Sequence, residues 1–154
     1  MELPSRCLLD TELNEIARRL KIPNFKGTLM SDEVESVPSS GDQCAIVNLE
    51  SSEQNGSHWV TFSRLGSKRT YFDSYGQQPP VEILKQLKTK KEHAQNLPAV
   101  KCNYLVVQKD GTTECGALCI YVLQKLSRGH PFDEIIHTLH DRYLLPRPTP
   151  LIIQ

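Results

Sequence analysis

The chain predicts an α+β fold, and three observations carry that expectation. Four short β-branched and aromatic runs are each closed by Gly, Ser, Asn or Asp; several longer stretches repeat apolar residues at helical spacing; and "CGALCIYVLQKL" (115 to 126) is apolar nearly all round. A helix of that last kind must be central. With 154 residues the chain suits one domain able to bury a real core.

In chain order, Leu13, Ile16, Ala17 and Leu20 recur at i, i+3, i+4 and i+7. Asp10 or Thr11 is the expected cap, with Glu12 and Glu15 early and Arg18, Arg19 and Lys21 late, which makes a first helix. "IPNFKGTLM" (22 to 30) reads as an ordered irregular connection, and the Ser-rich "SVPSSGD" (36 to 42) as a loop. "CAIVNL" (44 to 49), "HWVTFS" (58 to 63), "RTYFDS" (69 to 74) and "NYLVVQ" (103 to 108) are the expected strands. After Pro79 and Pro80, "VEILKQLKTKKEH" (81 to 93) forms an amphipathic helix with Val81, Leu84, Leu87 and Lys88 on one face. The 115 to 126 helix takes Thr112 or Thr113 as cap and closes at Gly129. Pro131 opens a last helix over 131 to 145, leaving 146 to 154 as an extended tail.

Formal charge is +0 and pI about 6.9, so no whole-chain basic field gathers nucleic acid. The five cysteines, Cys7, Cys44, Cys102, Cys115 and Cys119, are odd in number and lack framework spacing, which points to free thiols in a reducing compartment. No apolar run approaches the length of a membrane span, so a soluble intracellular protein is expected.

The chemistry emerges from four positions. "RLGSK" (64 to 68) joins two strands; folding them about Gly66 makes paired positions sum to about 131 or 132, which sets His58 opposite Asp73 or its neighbour. A carboxylate there fixes the imidazole's tautomer and supports its charged form. Cys115 stands at the first turn of the buried helix, where the macrodipole and unpaired N–H groups favour a thiolate. Gly116 behind it leaves the sulfur approachable, and Cys119, one turn deeper, is an inert core residue. Gln108 ends the strand before "KDGTT", where its amide can point at an oxyanion beside the Cys115 N–H. His, Asp, Gln and Cys together supply base, orienter, oxyanion donor and nucleophile.

"CAIVN", "GSHWVTF", "YFDSYG" and "VVQKDGTTECGALC" resemble adenain, the maturation cysteine protease of adenoviruses, and its relatives in other DNA viruses and virus-like transposons. The HW, D-S-x-G and Q…CG elements are shared with the ubiquitin-like-protein proteases. The resemblance implies a papain-like core of adenain/Ulp type: a small mixed sheet flanked by helices, with the nucleophile on a central buried helix. It assigns Cys115 as nucleophile, His58 as general base and acid, Asp73 as acidic member and Gln108 as oxyanion donor. Trp59 shapes the active-site wall, and Gly56, Ser57 and Gly116 line the substrate site. Adenain has Glu where this chain has Asp73. The implied substrates are viral capsid and core precursors, cut by a monomer in the infected cell or the virion. An activating viral peptide, linked through Cys102, and DNA are implied partners, with no cofactor needed for the chemistry and no metal. The rival readings are a deSUMOylase or deubiquitinase with the same residues, a metal-binding module using Cys115, Cys119, His137 and His140, and an inactive protease-like domain.

Overall fold

Alternation and helical periodicity sort the apolar residues of this chain onto the two faces of one sheet. The computed structural model describes residues 1–38, 40–49, 58–88 and 100–154. Five strands, β1 (Phe25–Met30), β2 (Gln43–Asn48), β3 (Trp59–Leu65), β4 (Lys68–Phe72) and β5 (Lys101–Cys102), lie in the order β1-β2-β3-β4-β5. The two outer pairings are parallel and the two inner ones antiparallel, so the sheet is mixed as expected.

Along β2, Cys44 and Ile46 face one side and Ala45 and Val47 the other, the period-2 rule of a strand buried on both faces. The first side, with Trp59 and Phe72, meets α1 (Asp10–Arg19), α3 (Cys115–Ser127) and α4 (Phe132–Tyr143). The second, with Val60, Phe62 and Tyr71, meets α2 (Val81–Leu87) and the 3₁₀ turn Ser31–Ser36. α3 is the central element: Cys115 to Ile120 and Val122 to Gln124 are all buried, as an all-round apolar helix requires. Gly129, at φ +86°, ends it, with its N–H on the Leu126 carbonyl (3.0 Å).

Several expectations are corrected. Residues 25 to 30, read as irregular, form a strand: Gly27 sits at φ +106° and a register shift between Phe25 and Thr28 breaks the alternation that would have marked it. Residues 103 to 108 are not a strand. The ladder stops at Cys102 because the Asn103 side chain takes over, accepting from Asp73 N (3.1 Å) and donating to Asp73 O (2.6 Å), while Val107 N donates to Ser74 O (2.9 Å). Neither Asp10 nor Thr11 is the residue before α1. Leu9 holds that place and its N–H is satisfied by the Glu12 carboxylate (3.1 Å). Glu114, not a threonine, precedes α3. α2 buries Ile83, Gln86 and Leu87, whereas Val81 is exposed and Leu84 half-buried, so the face is rotated from the one expected; the part of that helix expected over 89 to 93 lies outside the described residues.

The tail is extended, and it is held. Leu3 N and Ile153 N donate to Leu151 O and Met1 O (both 2.8 Å), and Leu151 and Ile153 are buried in the core. Leu13, fully buried on α1, abuts the position of Gly116 on α3. Leu13→Ala is expected to cost about 2–5 kcal/mol in denaturant unfolding, the range for an unfilled core cavity.

Candidate active site

The β3–β4 hairpin turns on two residues. Leu65 pairs with Lys68 and Thr61 with Phe72, with Gly66 at φ +60° in the first central position of the turn. The register therefore sums to 133, one or two higher than a fold centred on Gly66 itself. Extended past the strand ends, it sets His58 opposite Tyr75 and puts Asp73 diagonally across, still within side-chain reach.

The expected pair does form. His58 Nε2 donates to Asp73 Oδ1 at 2.9 Å, and the same oxygen accepts from Tyr75 N at 2.8 Å. Asp73 is 1% exposed, against 21% for the His58 side chain, so the carboxylate is sealed and the ring is partly open. Tyr75 stacks on the imidazole, centroids 5.0 Å apart and planes inclined by 27°.

Cys115 begins α3 at the edge of this ring. Its sulfur is hydrogen-bonded to His58 and to the backbone N–H groups of Trp59 and Gly116. With Nε2 committed to Asp73, Nδ1 is the ring nitrogen left for the thiol. Burial pushes the Cys115 thiol up, but the His58 bond, the two N–H donors and the imidazolium charge outweigh it and bring the thiol below its ordinary range. Burial likewise disfavours a charged His58, yet Asp73 and Cys115 raise it to about 9. These are two sides of one coupling: each group favours the charged form of the other.

Gln108 is buried with its amide oriented at both ends. Ser74 Oγ donates to Oε1 (2.6 Å) and Nε2 donates to Thr112 O (2.9 Å). A primary amide has two N–H hydrogens, and among the described residues only one is committed. Thr112 O thus ties Gln108 to the loop that delivers Cys115.

Other expectations change meaning. A Cβ on Gly116 would meet Leu13 Cδ2 at 3.1 Å and Trp59 Cδ1 at 3.4 Å, so this glycine lets α1 and Trp59 close on the helix and does not clear a path to the sulfur. The Trp59 indole is turned inward, 7% exposed and donating to Leu8 O (3.2 Å); it reaches the site through its backbone. Gly56 and Ser57 lie outside the described residues. Cys119 is fully buried against Trp59 O (3.4 Å), its thiol pushed far up by burial, as expected of an inert core residue. Cys102, half-buried on β5, is also raised by burial. Among the described residues no three metal-ligating side chains converge, including around His137 and His140.

Three supporting residues went unread in the sequence: Asn103, which clamps both backbone groups of Asp73; Ser74, which orients Gln108; and Glu114. The last forms a two-pronged ion pair with Arg142 of α4 (2.9 Å each), both largely buried, and Arg142 also donates to Thr149 O in the tail (2.6 Å). A cleft of about 560 Å³ runs alongside, lined by Thr112, Thr113, Pro148 and Pro150.

The chain as a whole is similar to known proteins. No family model matches the chain. The protease of Porcine adenovirus A serotype 3 is 29% identical over 133 residues, 77% of this chain and 64% of that protein. Among solved structures, the ASFV pS273R protease superposes with a TM-score of 0.57 at 16% identity, over 91% of this chain and 67% of that one. The SUMO protease Ulp1, with its catalytic cysteine oxidized to a sulfinic acid, gives 0.56 at 16% identity, over 92% and 81%. The fold is that of the Ulp1-like cysteine proteases. In sequence the chain is similar to that adenovirus protease, and it spans 64% of that protein's length.

In a Cys7→Ser background, iodoacetamide at neutral pH is expected to label Cys115, with Cys44 and Cys119 reacting only after unfolding. Burial raises Cys44 to about 12 and pushes Cys119 well up too. Peptide mapping of the label checks this.

Proposed function

We propose that this chain is a cysteine endopeptidase that cleaves viral capsid and core precursor proteins during virion maturation, in the infected cell or the virion. The observation that carries the reading is the His58 ring held between Asp73 and Cys115, with the thiol lowered and the imidazole raised. The adenovirus relative supports the viral assignment. No helix among the described residues is long and apolar enough to cross a membrane.

In this mechanism the Cys115 thiolate attacks the scissile carbonyl, and the carbon–oxygen double bond becomes an oxyanion. The Cys115 backbone N–H and the free N–H of Gln108 receive it. As the tetrahedral species collapses, the carbon–nitrogen bond breaks and the His58 imidazolium gives its proton to the departing amine, leaving a thioester. Neutral His58 then takes a proton from water, whose oxygen attacks the thioester and releases acid and thiolate. Asp73 keeps the ring in place.

A viral peptide acting near Cys102, or DNA, would raise the rate of the same reaction, and adding each separately to one assay tests both. The Ulp1 likeness favours a second substrate class, ubiquitin-like precursors. Offering a viral precursor and a SUMO-type precursor side by side decides between them, since preferential cleavage of the second reverses the substrate assignment.

Cys115→Ala is expected to abolish turnover with the fold intact by circular dichroism. Gln108→Ala is expected to lower kcat by about 10²–10³, the loss for one oxyanion donor; a loss under about threefold makes Gln108 structural. The reactive ion pair exists above the lowered thiol pKa and below that of His58, so kcat/KM should fall as pH rises through about 9. Asp73→Asn removes a charge that raises His58. Its alkaline limb should move down toward the ordinary histidine range near 6.5.

A further inference from the structure

The sheet face that carries Trp59 and Phe72 does not stay apolar to its end. Along β3 and β4 the same alternation brings Ser63 and Thr70 onto it, directly opposite each other in the ladder, near the point where α3 ends at Gly129 and α4 begins with Phe132. Such short side chains leave the gap between sheet and helices unfilled. A cavity of about 640 Å³ results, at the end of β3 away from His58 and the end of α3 away from Cys115.

This cavity has three kinds of surface. Its floor holds Ser63 and Thr70, 3% and 7% exposed, and among the described residues neither hydroxyl has a hydrogen-bond partner. A largely buried hydroxyl left in that state is a donor waiting for an acceptor. Leu65, Leu126 and Phe132 supply apolar wall, and Lys68, Lys101 and His130 a basic rim, while among the described residues no acidic one lines the space. Lys101 is held by Asp133 (3.1 Å) and His130 Nδ1 lies 4.0 Å from Glu134, both acids standing outside the lining; Lys68 has no ion pair among the described residues.

We propose that this cavity binds a small carboxylate with an apolar body. The carboxylate accepts from Ser63 Oγ and Thr70 Oγ1 under the charge of Lys68, and the body packs on Leu65, Leu126 and Phe132. A mostly apolar space of this volume with a few convergent polar groups is the usual form of a small-ligand site. Cys102, the expected anchor of an activating peptide, packs against the opposite face of the sheet, so the two positions are distinct. The inference goes beyond the protease reading and stands without it.

Hexanoate, its neutral counterpart hexanamide, and acetyl-Ala-Ala-Leu with a free or an amidated C-terminus are titrated into the full chain, with backbone amide shifts followed by NMR. Hexanoate is expected to saturate with a Kd of about 1–10 mM, the range open to so small a ligand, with shifts centred on the β3–β4 turn and residues 126 to 132. If the free-acid peptide binds and its amide does not, a polypeptide C-terminus is a source of the carboxylate; if only hexanoate binds, the source is a free acid. Thr70→Val, which keeps the side-chain shape, should weaken hexanoate about tenfold, and Lys68→Gln about two- to fivefold. Ser63→Ala tests the second hydroxyl where the valine variant changes the spectrum away from the cavity. Absence of saturation, equal affinity for hexanamide, or wild-type affinity in the chain carrying both Lys68→Gln and a hydroxyl deletion overturns the proposal. The Cys115→Ala chain should bind as wild type does, so loss of the protease reading leaves this one intact.

Discussion

The coupling of one sulfur to one imidazole is the constraint to which the rest of the structure answers. Neither charge would survive alone in these surroundings, because burial works against both. The thiol is brought down because it meets His58 and two backbone N–H groups at the start of a helix. The imidazolium persists since a sealed carboxylate stands behind it. Each partner comes from a different element: the sulfur from α3, the imidazole from the start of β3, the carboxylate from the end of β4. The site is therefore a test of how well the sheet and α3 dock, and the core between them, with Leu13, Gly116 and Trp59 in contact, supplies that docking.

Support radiates outward from that contact in short, saturated hydrogen bonds. Asn103 holds both backbone groups of Asp73, and Ser74 and Thr112 fix the two ends of the Gln108 amide. Glu114 places an acid next to Cys115 in the chain, which alone would oppose a thiolate there. Arg142 neutralises it and binds the tail carbonyl of Thr149 as well. A buried charge pair of this kind adds little net stability and much geometric definition, since neither member can leave without stranding the other.

The elements legible in the sequence were those with a strong local signal. α3 announced itself by being apolar on every side, and His58, Asp73, Gln108 and Cys115 by chemical type in motif order. What was not legible depended on contacts between distant segments. β1 was hidden by the irregularity at Gly27, and 103 to 108 had strand composition but gave its hydrogen bonds to the Asp73 turn. The hairpin register slipped by one or two because a two-residue turn and a one-residue pivot look alike in "RLGSK". That small slip is what concealed Tyr75. Gly116 was assigned to the wrong neighbour for a similar reason: a missing side chain does not say which side needed the space.

The order of the chain gives the sulfur a quiet history. His58 and Asp73 are synthesised well before Cys115, and all five strands of the sheet precede α3 in the chain. Until that helix docks, the thiol has no imidazole, no oriented amides and no carboxylate at second hand. It is then an ordinary cysteine on a nascent polypeptide. In the proposed mechanism nucleophilic power is conferred by tertiary assembly, so the molecule is unarmed while it is being made and acquires its reactivity in the same step that completes its interior.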